Sequence, residues 1–423
     1  METTGERVAV IGAGVAGLTA AYLLQRRYDV LLFEAEDRLG GHAHTHDVPS
    51  ASGGTVGVDT GFLVHNERTY PTLLRLFGEL GVRTRGTEMS MSIRCDGCGL
   101  LYAGAKGVRG LFPAATNLVR GRYLRMLAEV KRFHRHARAL LTHAGATADV
   151  PLGAFLAIGG YSRYFADHFV LPLVSTVWSA DRTDTLRYPA RYLFEFLRNH
   201  GMLSVGGSPR WRTVVGGSRE YVERAAKQLT AVHVSTPVRA VTRLAEGLEV
   251  RDDGDTPYRV DRVVVATHAD QALRLLSNPT GAECEVLGAF RYSANDTWLH
   301  TDDRVLPAVP AAGAAWNYVA PHCGADGPAV RVSYDLNRLM GLAEPTRYVV
   351  TLNPAAPPPA DRVIARMRYD HPVYTEESVA AQRRLPGLNG PRLAYAGAYH
   401  GWGFHEDGCS SGVRAAAALG VGW

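Results

Sequence analysis

A strand, a glycine-rich turn, a helix and a second strand ending on an acid follow one another at the start of this chain. Val8-Ala9-Val10-Ile11 is a short apolar run, and Gly12-Ala13-Gly14-Val15-Ala16-Gly17 follows at once. Leu18 to Arg27 continues with helical spacing, and Val30-Leu31-Leu32-Phe33 ends on Glu34. That order predicts a βαβ unit. In such a unit Gly12 makes the tight turn, Gly14 leaves the backbone open to a pyrophosphate, and Gly17 lets the helix pack close to the strand. The helix start at Val15 and Ala16 offers free N–H groups and partial positive charge to phosphates. Glu34 lies about 20 residues on, where a carboxylate accepts bonds from ribose hydroxyls. The chain is therefore expected to bind a dinucleotide.

The next residues select among dinucleotides. Glu34 is followed by Ala35-Glu36-Asp37-Arg38-Leu39-Gly40-Gly41-His42. Here the sequence resembles the flavin amine oxidase superfamily, which also holds protoporphyrinogen oxidases and phytoene-type desaturases. Its extended fingerprint is an acid, then an Arg, then Gly-Gly. The resemblance implies FAD, with Ala35, Arg38, Gly40 and Gly41 along its phosphates. The family continues with Arg where this chain has His42, so His42 is carried over as a cofactor contact of a different kind. Asp59-Thr60-Gly61-Phe62 matches the family's Asp-x-Gly segment and implies that Thr60, Gly61 and Phe62 lie beside the isoalloxazine.

A chain of 423 residues suits two connected domains. The net charge of +5 is almost all arginine, since only Lys106, Lys131 and Lys227 are lysines. Arg is spread without basic blocks, so nucleic acid is not expected as a partner. A contact with anionic substrates, a membrane surface or a lipid enzyme stays open. No apolar run is long enough to span a bilayer, and no basic-then-apolar leader precedes the first strand; the expectation is a cytoplasmic protein. Five cysteines in a chain of this size argue against a disulfide framework.

The expected fold is α/β: a split Rossmann-type FAD domain with an interleaved helical and mixed-sheet substrate domain, amine-oxidase-like. Residues 1–69, 212–284 and 386–423 are assigned to the FAD domain, and 70–211 and 285–385 to the substrate domain. Within them, Tyr70 to Leu80 reads as a helix and Met89 to Tyr102 as a hairpin turning at Asp96-Gly97. Apolar spacing predicts helices over 122–142, 151–158, 162–170 and 189–200. Strands are expected at Trp298–Thr301, Ala314–Tyr318, Val330–Ser333 and Tyr348–Leu352, and a buried parallel strand over 261–267 returns to the FAD sheet.

The chain closes with Leu393-Ala394-Tyr395-Ala396-Gly397 and then Gly403-Phe404-His405-Glu406-Asp407-Gly408. The superfamily ends in this way, with a strand and a Gly-aromatic-x-Glu helix start. The resemblance implies that the backbones of His405 and Glu406 face the flavin ring, that Phe404 stands over it, and that Val238, Ala266 and Gly397 contact the cofactor. Ala398 stands where the family has an acid. Gly41-His42-Ala43-His44-Thr45, Asn66 to Pro71, Trp211 to Ser218 and Leu299-His300-Thr301-Asp302 are similar to a bacterial flavoprotein group associated with cyclopropane-fatty-acid synthases. That implies a small hydrophobic, lipid-like or secondary-metabolite substrate. The activity so implied is FAD-dependent removal of a hydride from a substrate C–H bond, with reoxidation by O₂ or another acceptor. A redox-neutral isomerase or cyclase, or a non-catalytic flavoprotein partner of a lipid methyltransferase, are the alternatives.

The side chains that carry this chemistry are harder to read. His42, His44 and His46 alternate and could share one face, but no metal is expected from them. Cys95-Asp96-Gly97-Cys98 is a CxxC without a second pair, so a plain hairpin turn is expected there. No lysine occupies the strand where many amine oxidases hold a water beside the flavin; His300 is the candidate replacement, with a core histidine as the other reading. His405, Glu406 and Phe404 complete the catalytic candidates, and Trp316, Tyr318, Tyr399 and Trp402 are candidate substrate walls.

Overall fold

The computed structural model describes residues 5–142, 150–204, 206–324 and 331–423. Its first layer is a five-stranded parallel sheet. In spatial order the strands are Ala231–His233, Asp29–Phe33, Arg7–Ile11, Arg262–Val265 and Leu393–Tyr395. Val8, Ala9, Val10, Val263, Val264 and Val265 are fully buried, because a parallel sheet is covered on both faces and its centre reads as an unbroken apolar run. The strands thus come from the start, the middle and the end of the chain.

Helix Val15–Leu24 covers one face of this sheet and buries nine of its ten residues. Helix His405–Ala418 lies against it, and the contact is made through small residues. A methyl on Gly412 would collide with the Ala16 carbonyl oxygen, and one on Gly408 would stand 2.7 Å from Val15 Cγ1. The chain therefore closes on its own beginning.

A seven-stranded mixed sheet forms the second body of structure. Its order is Val363–Val373, Arg291–His300, Val349–Leu352, Val332–Asp335, Trp316–Ala320, Met91–Cys95 and Leu100–Ala103. The expected hairpin is present, with Cys95 opposite Leu100. Val332–Asp335 begins two residues later than expected, and Val330 lies outside the described residues. Two elements go beyond the sequence reading. The strand at Trp298 starts as early as Arg291, and its partner Val363–Val373 is an eleven-residue edge strand. Along that edge Arg366 and Arg368 alternate with Met367 and Tyr369, keeping one face wet.

Against the mixed sheet the described residues between 121 and 199 are largely helical: Gly121–Thr142, Leu152–Ile158, Arg163–Phe165, a π-helical turn at Ala166–Val170, Leu171–Trp178, Arg182–Arg187 and Ala190–Asn199. Residues 143–149 of this stretch are outside the description. No helix among the described residues is long and apolar enough to cross a membrane.

Candidate cofactor cradle and active site

The two glycine runs near the N-terminus meet edge to edge. Gly40 N–H donates to the Ala13 carbonyl at 2.9 Å, and Gly14 and Gly40 form a parallel bridge. Gly12 sits at φ +96°, and a methyl there would stand 2.8 Å from the Ala266 carbonyl oxygen, so only glycine makes this turn. Gly14 is different: its φ is an ordinary −69° and a methyl would meet nothing within 4 Å. Steric demand from the protein does not explain glycine there; a ligand brought against the backbone does. The helix behind it starts with no side-chain cap, which leaves its first N–H groups for an anion. These observations fit a pyrophosphate.

Glu34 is held for the ribose position. One carboxylate oxygen accepts from Ala13 N–H at 2.8 Å and the other from Glu36 N–H at 2.9 Å. Ser235 and Thr236 bond back to Glu36 and Glu34, which fixes the turn around Ala35 and brings Val238 to the same end of the sheet. Arg38 runs along the glycine turn, donating to the Gly41 carbonyl at 2.9 Å and pairing with Glu36.

The ring end of the cradle is strapped from both directions. Phe62 N–H donates to the His42 carbonyl at 2.7 Å and Thr60 N–H to that of His44 at 2.9 Å, while a methyl on Gly61 would collide with the His42 carbonyl. The Phe62 ring stacks on His405, the first residue of the last helix, at 3.7 Å. His405 Nε2 in turn lies 3.1 Å from the Tyr221 hydroxyl. On the strand side Gly397 N–H donates to Ser411 Oγ at 2.8 Å, and Ala398 receives the amides of Gly401 and Gly403.

Four histidines from distant segments converge at this end. The His42 ring lies 5.0 Å from Tyr369, 5.6 Å from His371 and 6.3 Å from His268. Its Nε2 is buried without a partner. Burial, followed by repulsion from the like charges of His371, His268, His405 and Arg38, holds the His42 imidazole well below its ordinary range. Burial likewise brings His371 down to about 4 and His405 to about 3. All of these rings are neutral at neutral pH. His371 and His268 have no spacing that marks them in the sequence, because each arrives on a different strand end.

The catalytic candidates separate. His300 is fully buried within the mixed sheet, where Nδ1 accepts from Asp302 N–H at 3.1 Å and Nε2 donates to Thr351 Oγ1 at 2.8 Å. Both nitrogens are used, so His300 is a core histidine and not the base expected of it. The Glu406 carboxylate is also structural. It accepts from Thr72 N–H at 3.0 Å and Leu73 N–H at 2.9 Å. Helix Pro71–Glu79 has no capping side chain of its own, and Glu406 supplies one from across the fold. Phe404 stacks on Phe196 at 5.0 Å, in the aromatic wall of the helical layer.

The proposed substrate walls do not form one surface. Trp402 joins that wall beside Tyr192 and Phe196, with Trp178 Nε1 donating to its carbonyl. Tyr374 and Tyr188 stand in the same wall, where the buried Tyr188 hydroxyl has no partner. Tyr318 reaches the wall's core from the mixed sheet. Trp316 packs on Tyr334 in another core, and Tyr399 lies behind the parallel sheet against Phe290. The His44 and His46 rings lie beside each other at 4.0 Å, the His42 ring turns toward His371, and His42 and His44 both border Tyr369. The CxxC turn does not stand alone as expected: Cys323 and His168 gather with Cys95 and Cys98.

Residues 15–297 match the family model of flavin containing amine oxidoreductases. The chain is 29% identical over 264 residues to AofH of Mycobacterium tuberculosis, named as a flavin-containing monoamine oxidase; the match covers 58% of this chain and 53% of AofH. The chain thus spans about half the length of that relative. Among solved structures, cyclohexylamine oxidase from Brevibacterium oxydans IH-35A superposes with a TM-score of 0.71 at 18% identity, over 98% of both chains. A CLA-producing fatty acid isomerase from P. acnes superposes with a TM-score of 0.66 at 17% identity, over 97% of this chain and 98% of the isomerase.

Proposed function

Since the chain belongs to the family of flavin containing amine oxidoreductases, with FAD as its cofactor, we propose that it oxidises a small hydrophobic substrate by loss of hydride from a C–H bond. The observation that carries this reading is the convergence of His42, His268, His371 and His405 at the ring end of the cradle. It joins the glycine loop, the last helix and the mixed sheet at one place, where a substrate would meet the cofactor.

When bound, FAD supplies the hydride acceptor and returns the electrons to O₂ or another oxidant. The chain's own residues do the rest. The uncapped helix start at Gly14 and the Gly40-Gly41 turn hold the pyrophosphate, and Glu34 holds the ribose. The start of helix His405–Ala418 sets positive backbone charge against the ring system, an effect of about 0.3–1 kcal/mol. The wall of Tyr188, Tyr192, Phe196, Tyr374, Trp402 and Phe404 excludes water. Neutral imidazoles at His42 and His371 stand at the ring end without placing a charge there.

This lining favours an uncharged reacting segment of the substrate over an ammonium. The carboxyl whose charge acts on Tyr188, Tyr192 and Tyr374 is that of Asp407. Burial pushes it up to about 7, and it accepts from Phe404 N–H at 3.0 Å. It is a weak counter-ion for an amine. The mixed sheet offers two polar side chains at this end, Tyr369 and His371. His371 Nδ1 accepts from Asn295 Nδ2 at 3.3 Å and lies 3.0 Å from Ser179 Oγ, which fixes the ring and its tautomer.

A redox-neutral isomerisation is the second reading, because the same fold serves oxidases and a fatty acid isomerase alike. Anaerobic mixing separates the two. Lasting loss of the flavin colour with oleate supports oxidation; turnover of oleate with no net bleaching supports isomerisation. Bleaching by cyclohexylamine but not by oleate contradicts the hydrophobic-substrate reading.

A further inference from the structure

Three of the five cysteines and one histidine meet far from the glycine cradle, at the end of the mixed sheet. Cys95 and Cys98 flank the hairpin turn, His168 lies in the π-helical turn Ala166–Val170, and Cys323 follows strand Trp316–Ala320. Their ligating atoms all lie within 4.8 Å of one another. Cys95 Sγ is 3.9 Å from Cys323 Sγ, and His168 Nε2 is 3.6 Å from Cys98 Sγ and 3.5 Å from Cys323 Sγ. Zinc bonds of about 2.3 Å to sulfur and 2.0–2.1 Å to nitrogen make tetrahedron edges of about 3.8 Å and 3.5 Å. The observed edges match both.

The surroundings prepare these atoms as ligands. His168 Nδ1 lies 2.9 Å from the Tyr164 carbonyl oxygen, which only accepts, so the proton is on Nδ1 and Nε2 turns its lone pair to the sulfurs. The Cys98 amide points at the Cys95 sulfur and the Leu100 amide at the Cys98 sulfur. Arg120 donates to the Cys98 carbonyl at 2.8 Å, placing a cation beside a centre that would carry one net negative charge. The turn is tight because Gly97 packs on His322: a methyl there would stand 2.7 Å from His322 Cα. A π-helical turn interrupting a helix at a ligand is itself a common mark of a functional position.

We propose that Cys95, Cys98, His168 and Cys323 bind one zinc ion. Four protein ligands fill a tetrahedron and leave no position for substrate, so the ion is structural. It ties the hairpin, the helical layer and the strand Trp316–Ala320 into one frame. The proposal stands on its own geometry, independent of the oxidation proposed above.

Metal analysis of the purified flavoprotein tests it. The expected result is about one zinc per chain, released when a mercurial titrates the thiols. Replacement by Co²⁺ should give absorption bands between about 600 and 750 nm, beyond the flavin spectrum, as a tetrahedral thiolate site does. Cys98→Ser and His168→Ala should lose the metal, while Cys284→Ser, on an exposed face of helix Gly281–Leu287, should keep it. If the ligand variants fail to fold, the stoichiometry and cobalt spectrum of the unaltered chain still decide. Less than a tenth of an equivalent of transition metal, or a disulfide between Cys95 and Cys323 found by mass spectrometry, overturns the proposal.

Discussion

Gly412 lies directly against Ala16, so that at this point the last helix of the chain rests backbone to backbone on the first helix of the dinucleotide-binding unit. A methyl on Gly412 would collide with the Ala16 carbonyl oxygen and stand 3.0 Å from Thr19 Cβ. This contact sets the distance between the pyrophosphate end and the ring end of the cradle. Gly412→Ala should therefore cost about 1–3 kcal/mol by overpacking. It should also lower the FAD content of the purified protein, read as the ratio of absorbance at 450 nm to that at 280 nm. Full loading at unchanged melting temperature would show that this contact does not position the cradle.

Gly14 separates folding from cofactor binding. Its backbone suits alanine, and a methyl there meets no protein atom within 4 Å. Gly14→Ala should leave the melting temperature of the flavin-free protein unchanged within about 1 °C, and FAD affinity should fall at least about tenfold, since the methyl enters the pyrophosphate path. Titration of both apoproteins with FAD checks this, and equal affinities would contradict it.

Glu406 is assigned a capping role that the sequence resemblance does not reveal. Glu406→Ala removes acceptors from Thr72 and Leu73 at the start of helix Pro71–Glu79 and should destabilise the protein by about 1–3 kcal/mol. Glu406→Gln should recover part of that stability. Chemical denaturation measures the loss, and flavin bleaching by the same substrate should proceed at a similar rate in any Glu406→Gln protein that retains FAD.

His300 should behave as a buried core group. Burial brings its imidazole down to about 4 from the ordinary 6.5. Because the folded-state value is depressed, the unfolded chain takes up the proton first on acidification. The stability it contributes is complete above about pH 6.5 and is lost as pH falls through about 4. Asp407 and Asp59 act in the opposite sense, since burial raises them to about 7 and about 6. Their protonation on acidification restores stability, but His44, His65, His371 and His405 all follow His300. The melting temperature should fall between pH 6.5 and 4, and His300→Gln should make that fall shallower while leaving flavin bleaching intact. Loss of bleaching with unchanged stability would return His300 to the active site.

The cradle was legible in the sequence because its chemistry is backbone chemistry. Gly12, Gly14, Gly17, Gly40 and Gly41 can be read one by one, since each answers a local demand of turn, approach or packing. The histidine cluster cannot be read in the same way. His268 follows a parallel strand and His371 lies on an edge strand, and only the folding of two sheets together brings them to His42. The cysteine site was half legible: Cys95 and Cys98 announce a turn, while His168 and Cys323 join it through tertiary structure. His300 takes the core reading and Glu406 a capping role for a related reason. A side chain's neighbours decide its role, and those neighbours, Thr351 for one and Leu73 for the other, lie far along the chain.

The closing of two chain ends around one FAD is measured most directly by the flavin content of the purified protein. The expected result is a yellow protein with one FAD per chain, released on denaturation. A colourless protein that takes up no FAD under native conditions would contradict it.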